Sequence, residues 1–452
     1  MNFASTVDGT KILYFVPDNK RTAYYFYLFI VDILLAVLIF SCDSQNKNGT
    51  KADSRKLWET LLLSEIYYSS PAMSQDETTL YTGTSIWSTG VHGGHHYFVA
   101  LDAATGSEKW SYALGANEVR STPAVANDGS IYFAVELHDS ITGAVSGDRL
   151  YHLSASGDTL WTYDINPGAA TIDVGQSSPA IGTDGTVYIA GDSLYAIHPN
   201  GTLRWTFPPL FPGMHEMLRN APVIGPDGTI YFVYHNIPLT ALRPEDGSVM
   251  WSTQLGVNDH CFASPAIGAD GTIYVVTQPG LVYAVSSSGQ LQWTFNLMSA
   301  GFTGTLRSSP AVDKDGSIYF GLNYGSPSSA FFALNADGTV KWIFEPADLP
   351  PDTPGDHFDI YSSPALGSDS VVYFGQEFGR VYALNTADGS LNWMEETKSG
   401  ITWSSPAIDH NGVLFISDIS GRVYGFQTGS RGLDTAAAWP KFRFNNQNTG
   451  VK

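Results

Sequence analysis

Eight positions in this 452-residue chain share one offset from a recurring core and carry side chains suited to holding an anion. Each stands three residues before the proline of a Ser-Ser-Pro-Ala core or a close variant of it. They are Tyr68, Arg120, Gln176, Arg219, Phe262, Arg307, Tyr361 and Trp403. A guanidinium stays ionised and offers a fork of donors to carboxylate or phosphate. Aromatic rings add flat apolar surface for a planar ligand. Converging at one end of a channel, these residues predict a pocket for an anionic small molecule or an acidic peptide terminus. The alternative is structural: the same side chains plug the channel, the arginines bonding strand-end carbonyls or acidic neighbours such as Asp173 and Asp359.

Other reactive groupings are thinner. His92, His95 and His96 cluster in one loop, and grouped imidazoles bind zinc, copper or nickel. No carboxylate or cysteine stands beside them, so a solvated loop is the competing reading. Asp313-Lys314-Asp315-Gly316 opens like a calcium loop, but Tyr324 occupies the twelfth position where a glutamate belongs, which leaves a hairpin turn. Cys261 reads as a small, inert residue. There is no Gly-Lys-Ser/Thr phosphate loop, His-Glu-x-x-His or Gly-x-Ser-x-Gly elbow. No catalytic residue is assigned, and the balance leans away from an enzyme.

The elements that position these groups repeat. The core prolines are Pro71, Pro123, Pro179, Pro222, Pro265, Pro310, Pro364 and Pro406, spaced 42 to 56 residues apart. That is the length of a four-stranded propeller blade. After the proline strand comes a turn, Asp128-Gly129, Asp184-Gly185, Asp227-Gly228, Asp270-Gly271, Asp315-Gly316 or Asn411-Gly412, with looser versions at Asp76 and Asp369. Such pairs accept the positive φ of a tight hairpin. Two aromatic strands follow, and a tryptophan marks the fourth: Trp110, Trp161, Trp205, Trp251, Trp293, Trp342 and Trp393. The eighth third strand, Val423-Tyr424-Gly425-Phe426, has no tryptophan after it, whereas Trp58 precedes the first core. Residues 57 to 63 therefore supply the outer strand of the last blade, closing the ring. The expected fold is all-β: an eight-bladed β-propeller of four-stranded antiparallel blades, the last closed by the N-terminal strand around Trp58.

Composition agrees. The chain holds 45 Gly, 24 Pro, 24 Tyr and 24 Phe with only 15% charged residues, which suits short aromatic strands and tight turns. A net charge of −20 disfavours nucleic acid as a partner. Ahead of the repeats, Lys20 and Arg21 precede an apolar run, Tyr24 to Phe40, ending in Leu38-Ile39-Phe40-Ser41-Cys42. This is the layout of a secretory signal with a lipobox-like end, and the near-spanning length also allows a membrane anchor. The expected organisation is a signal or anchor over residues 1–42 with lipidation at Cys42, a flexible tether over 43–56, the propeller over 57–445 and a tail over 446–452. Export to the cell envelope, periplasmic or surface, follows under either form of attachment.

Ala100-Leu101-Asp102-Ala103-Ala104-Thr105-Gly106-Ser107-Glu108-Lys109-Trp110 and Ala383-Leu384-Asn385-Thr386-Ala387-Asp388-Gly389-Ser390-Leu391-Asn392-Trp393 resemble the tryptophan-docking motif of quinoprotein alcohol dehydrogenases. The resemblance is to the pyrroloquinoline-quinone (PQQ)-like repeat family over about residues 58 to 445. It implies that the eight tryptophans lock neighbouring blades. The same repeat serves quinoprotein dehydrogenases and non-enzymatic BamB-type lipoproteins of outer-membrane assembly. In the dehydrogenases the quinone sits beneath a disulfide of adjacent cysteines. Here Cys42 and Cys261 stand far apart, so the resemblance implies a protein-binding scaffold for an envelope partner, without cofactor. A small-ligand or quinone-binding protein, with quinoprotein-type redox activity, is the alternative. Apolar residues of Phe207-Pro208-Pro209-Leu210-Phe211-Pro212-Gly213-Met214 are expected to mark a partner contact or a loop folded on its own blade.

Overall fold

The chain was analysed as a computed structural model, which describes residues 3–7, 10–14, 54–86, 95–139, 142, 144–165, 177–191, 193–207, 220–234, 237–256, 261–326, 328–346 and 359–452. The chain divides into two units, Met1–Ser54 and Arg55–Lys452. In the first, Phe3–Val7 pairs antiparallel with Thr10–Tyr14. The apolar run 24–40 and Cys42 lie outside the described residues. Among the described residues, no helix is long and apolar enough to cross a membrane.

The second unit is an eight-bladed β-propeller. Blade seven shows the pattern: Ala365–Gly367, Val371–Gln376, Arg380–Asn385 and Leu391–Glu396 follow one another as antiparallel neighbours. Its second strand is buried throughout and its third at all but the two end residues, while the outermost is mostly exposed or half-buried, because each blade packs both faces against its neighbours except at the rim. Blade eight joins the two ends of the unit. Lys56–Leu61 pairs with Arg422–Gln427, with Trp58 opposite Gly425. Closure thus runs through Trp58, as the spacing predicts.

The tryptophans weld the blades. Seven of the eight indole N–H groups donate to a carbonyl of the next blade: Trp58 to Ala103 at 3.1 Å, Trp110 to Ala155 at 3.1 Å, Trp161 to Pro199 at 2.8 Å and Trp205 to Pro244 at 2.9 Å. Trp251, Trp293 and Trp342 donate likewise to Ser287, Ala336 and Thr386. A glycine of the next blade lies against each of these rings. At Gly106 (φ +72°), a Cβ would sit 2.4 Å from Trp58 Cε3, so both backbone sign and space require glycine.

The Ser-Ser-Pro-Ala core has two separate jobs. The first serine ties the inner strand to the second strand of its own blade: Ser121, Ser362 and Ser404 hydroxyls accept from the Ala134, Gly375 and Ser417 amides. Ala263 lacks that hydroxyl, and the buried Cys261 thiol donates to the Val276 carbonyl instead, at 3.3 Å. The second hydroxyl ties blade to blade. Ser70 N–H donates to Thr122, Thr122 to Ser178, Ala221 to Ser264, Ser264 to Ser309, Ser309 to Ser363, Ser363 to Ser405 and Ser405 back to Ser70, all at 2.9–3.1 Å. The circle is broken only between Ser178 and Ala221, where the hydroxyl is missing.

The C-terminal segment completes the channel. Inner strands of a propeller present unpaired amides to the axis, and buried amides need acceptors. Two residues after the core proline, the amides of Met73, Val125, Ile181, Ile224, Val312, Leu366 and Ile408 donate to Asn446, Gln447, Thr449, Gly450, Trp439, Pro440 and the Asn446 side chain. In blade five the Ile267 carbonyl accepts from Lys452 Nζ at 3.3 Å. Residues 439–452 therefore touch all eight inner strands.

Candidate functional site

The described mouth residues stand three residues before their prolines and the bonds to the C-terminal segment lie two residues after, so the two features face opposite ends of the channel. Six of the eight predicted mouth residues, Tyr68, Arg120, Phe262, Arg307, Tyr361 and Trp403, line one cavity. Gln176 and Arg219 lie outside the described residues. Below that tier the cavity is lined by the hydroxyls of Thr122, Ser178, Ser309, Ser363 and Ser405, and Phe442 of the C-terminal segment reaches it from the far side. Its water-accessible space is about 40 Å³, on the order of three waters.

The two described arginines do different things. Arg120 is almost covered and pairs through Nε with Glu118 at 3.1 Å and through Nη2 with Glu136 at 3.2 Å. Its guanidinium also lies 5.4 Å from the centre of the Tyr68 ring. Glu118–Val119 is an extra strand of blade two, and its pairing sets Glu118 directly opposite Glu136. Like charges in that position repel, and Arg120 lies between them. His138 Nε2 is 3.0 Å from Glu136. Glu118, Glu136 and His138 place ligand-capable atoms within 4.8 Å of one another, with Arg120 supplying positive charge at that point. The sequence signal was present as Glu118-Val-Arg120 and Glu136-Leu-His138, two i, i+2 pairs on strands whose register the local pattern does not reveal.

Arg307 sits among aromatic faces instead, 4.8 Å from Phe262, 5.4 Å from Tyr324 and 6.0 Å from Tyr361. It forms no ion pair with a described residue, and its Nε is buried without a hydrogen-bond partner. Asp359 does not serve it. The Tyr361 hydroxyl donates to that carboxylate at 2.9 Å, and burial followed by the Asp359 charge pushes the Tyr361 pKa up. Burial, then Asp359, also raises Glu377, to about 7.

Of the histidine cluster, His92 lies outside the described residues. His95 is exposed just before the strand His96–Asp102, while His96 is buried and meets the Ser64 hydroxyl at 3.1 Å. Burial lowers the His96 pKa, which favours neutral imidazole. Phe207 ends the strand Leu203–Phe207, and 208–214 lie outside the described residues.

The model of the family described as outer membrane protein assembly factor BamB matches residues 50–211 and 238–441. The chain belongs to this family. Its fold is shared with BamB from Moraxella catarrhalis at 15% identity and a TM-score of 0.60, covering 82% of this chain and 99% of that one. A europium-containing methanol dehydrogenase gives 15% identity and a TM-score of 0.59 over 82% and 86% of the two chains. A quinohemoprotein alcohol dehydrogenase from Pseudomonas putida gives 12%, 0.57, 85% and 78%. No curated protein matches in sequence. A propeller of the BamB family thus shares its architecture with these dehydrogenases.

Proposed function

We propose that this BamB-family propeller is a non-catalytic, envelope-associated scaffold that holds a partner protein of outer-membrane protein assembly on a rigid disc. Family membership supports the setting. The observation that carries the scaffold reading is that the chain fills its own channel. The C-terminal segment bonds every inner strand at one end, and Phe442 of that segment reaches the cavity at the other. A disc welded by indoles, hydroxyls and a central segment changes shape little on binding, which limits the entropy lost when a partner docks. Attachment through Cys42 or through the apolar run 24–40 would keep it at the membrane.

The test is capture from an envelope fraction with tagged protein lacking residues 1–42, followed by crosslinking and identification. A component of outer-membrane assembly should be retained specifically, and replacing 208–214 by a Gly-Ser stretch should weaken its capture. Retention of no specific envelope protein, under conditions where the propeller is folded, overturns the reading.

A further inference from the structure

From the hydrogen-bond accounting at the channel mouth, we infer a carboxylate-binding site made by Arg307 and the circle of core hydroxyls. Thr122, Ser178, Ser309, Ser363 and Ser405 are each at most 5% exposed and line the cavity. Each oxygen already accepts an amide from the preceding blade. A hydroxyl that accepts still has one proton to donate, and none of these five protons has an acceptor among the described residues. Five inward donors therefore stand below a guanidinium whose buried Nε is also unpartnered.

Charge points the same way. The cavity lining includes two arginines and no acidic residue. Arg120 is paired with Glu118 and Glu136, which leaves Arg307 as the cation without an ion pair among the described lining residues. One guanidinium without an ion pair, beside a cluster of two carboxylates, matches a monoanionic head better than a dianion. Phe262, Tyr324 and Tyr361 lie beside the half-buried Arg307, and donors to an ionised oxygen strengthen where water is partly excluded. A cavity of about 40 Å³ takes a planar carboxylate on a slender stem. That head is offered equally by a small aliphatic acid and by the end of a polypeptide.

The inference is independent of the scaffold reading and is tested on purified protein lacking residues 1–42. Acetate, succinate, inorganic phosphate and one pentapeptide with a free or amidated C-terminus are titrated by calorimetry. Carboxylates should bind and be outcompeted by none of the phosphate concentrations that leave the fold intact. Arg307→Gln should weaken binding about 10- to 100-fold, the loss expected for charge-assisted bonds. Ser309→Ala with Ser363→Ala should weaken it several-fold, with thermal unfolding followed in parallel to show that the variants are folded. Tighter binding of the free than the amidated peptide, above succinate, assigns the head to a polypeptide; the reverse order assigns it to a small acid. No saturable carboxylate binding, phosphate binding more tightly, or a folded Arg307→Gln protein with unchanged affinity overturns the site.

Discussion

The Arg55 guanidinium stands 5.2 Å from the centre of the Trp393 ring, at the seam where the last blade borrows its outer strand from the N-terminal end of the propeller. The other seven indoles have a glycine of the next blade against them. At the seam the turn that would supply that glycine is replaced by a change of strand. Arg55 exchanges main-chain bonds with the last strand, its carbonyl accepting from Gln427 at 2.7 Å and its side chain donating to the Gln427 carbonyl at 3.3 Å. Closure therefore depends on an indole on one side and a cation over an indole on the other.

Trp58→Ala should destabilise the propeller by about 2–4 kcal/mol, since it removes a large packed ring and leaves the Ala103 carbonyl without its donor. Arg55→Ala should cost about 0.5–1 kcal/mol, the range for a partly exposed cation over a ring. Chemical denaturation of both variants checks the order; equal losses would show that the seam is not held mainly by Trp58.

The hydroxyl circle makes a paired prediction. Ser363→Ala leaves the buried Ser309 amide without its acceptor and should cost about 1–3 kcal/mol. Ala221→Ser supplies the one missing hydroxyl and should add about 0.5–1.5 kcal/mol by accepting from Ser178. Unfolding midpoints moving in opposite directions are the expected result.

Arg120 and Arg307 share a register position but should respond differently. Arg120→Ala leaves Glu118 and Glu136 buried and facing each other, at a cost of about 3–5 kcal/mol. Arg307→Ala removes contacts with rings only and should cost about 1 kcal/mol. Thermal unfolding of the two variants at one pH distinguishes a structural arginine from one held in reserve.

Stability should pass through a minimum near neutral pH for two opposing reasons. Burial, then the Arg443 charge, lowers Lys441 to about 7. The unfolded chain therefore holds more protons above that value, and stability rises between pH 7 and about 10.5. Glu377, raised to about 7, does the reverse. The folded chain holds the extra proton, so its contribution is full below the ordinary carboxylate range and is lost as pH rises through 7. Lys441→Met should flatten the alkaline limb and Glu377→Gln the acid limb. A stability profile unchanged by either substitution would contradict the assignment.

The sequence by itself determined the number of blades, the turns between strands and the closure through Trp58. Each of those signals is written within a few tens of residues: an Asp-Gly turn, an aromatic strand, a tryptophan at a constant offset. Even the common register of the mouth residues follows from counting back from the prolines. What the hydroxyls of the core bond to, and which acids meet which arginine, was decided only by the ring. Ser405 reaches Ser70 across 335 positions of chain, and Asn448 donates to the Pro71 carbonyl across 377. Such partners have no spacing to read, because closing the ring brings them together. The same closure turned one line of three like arginines into distinct roles for the two that are described. Register between short strands placed two glutamates beside Arg120 and only aromatic faces beside Arg307. Local pattern chose the fold, and the long-range geometry of a closed ring chose the chemistry at its centre.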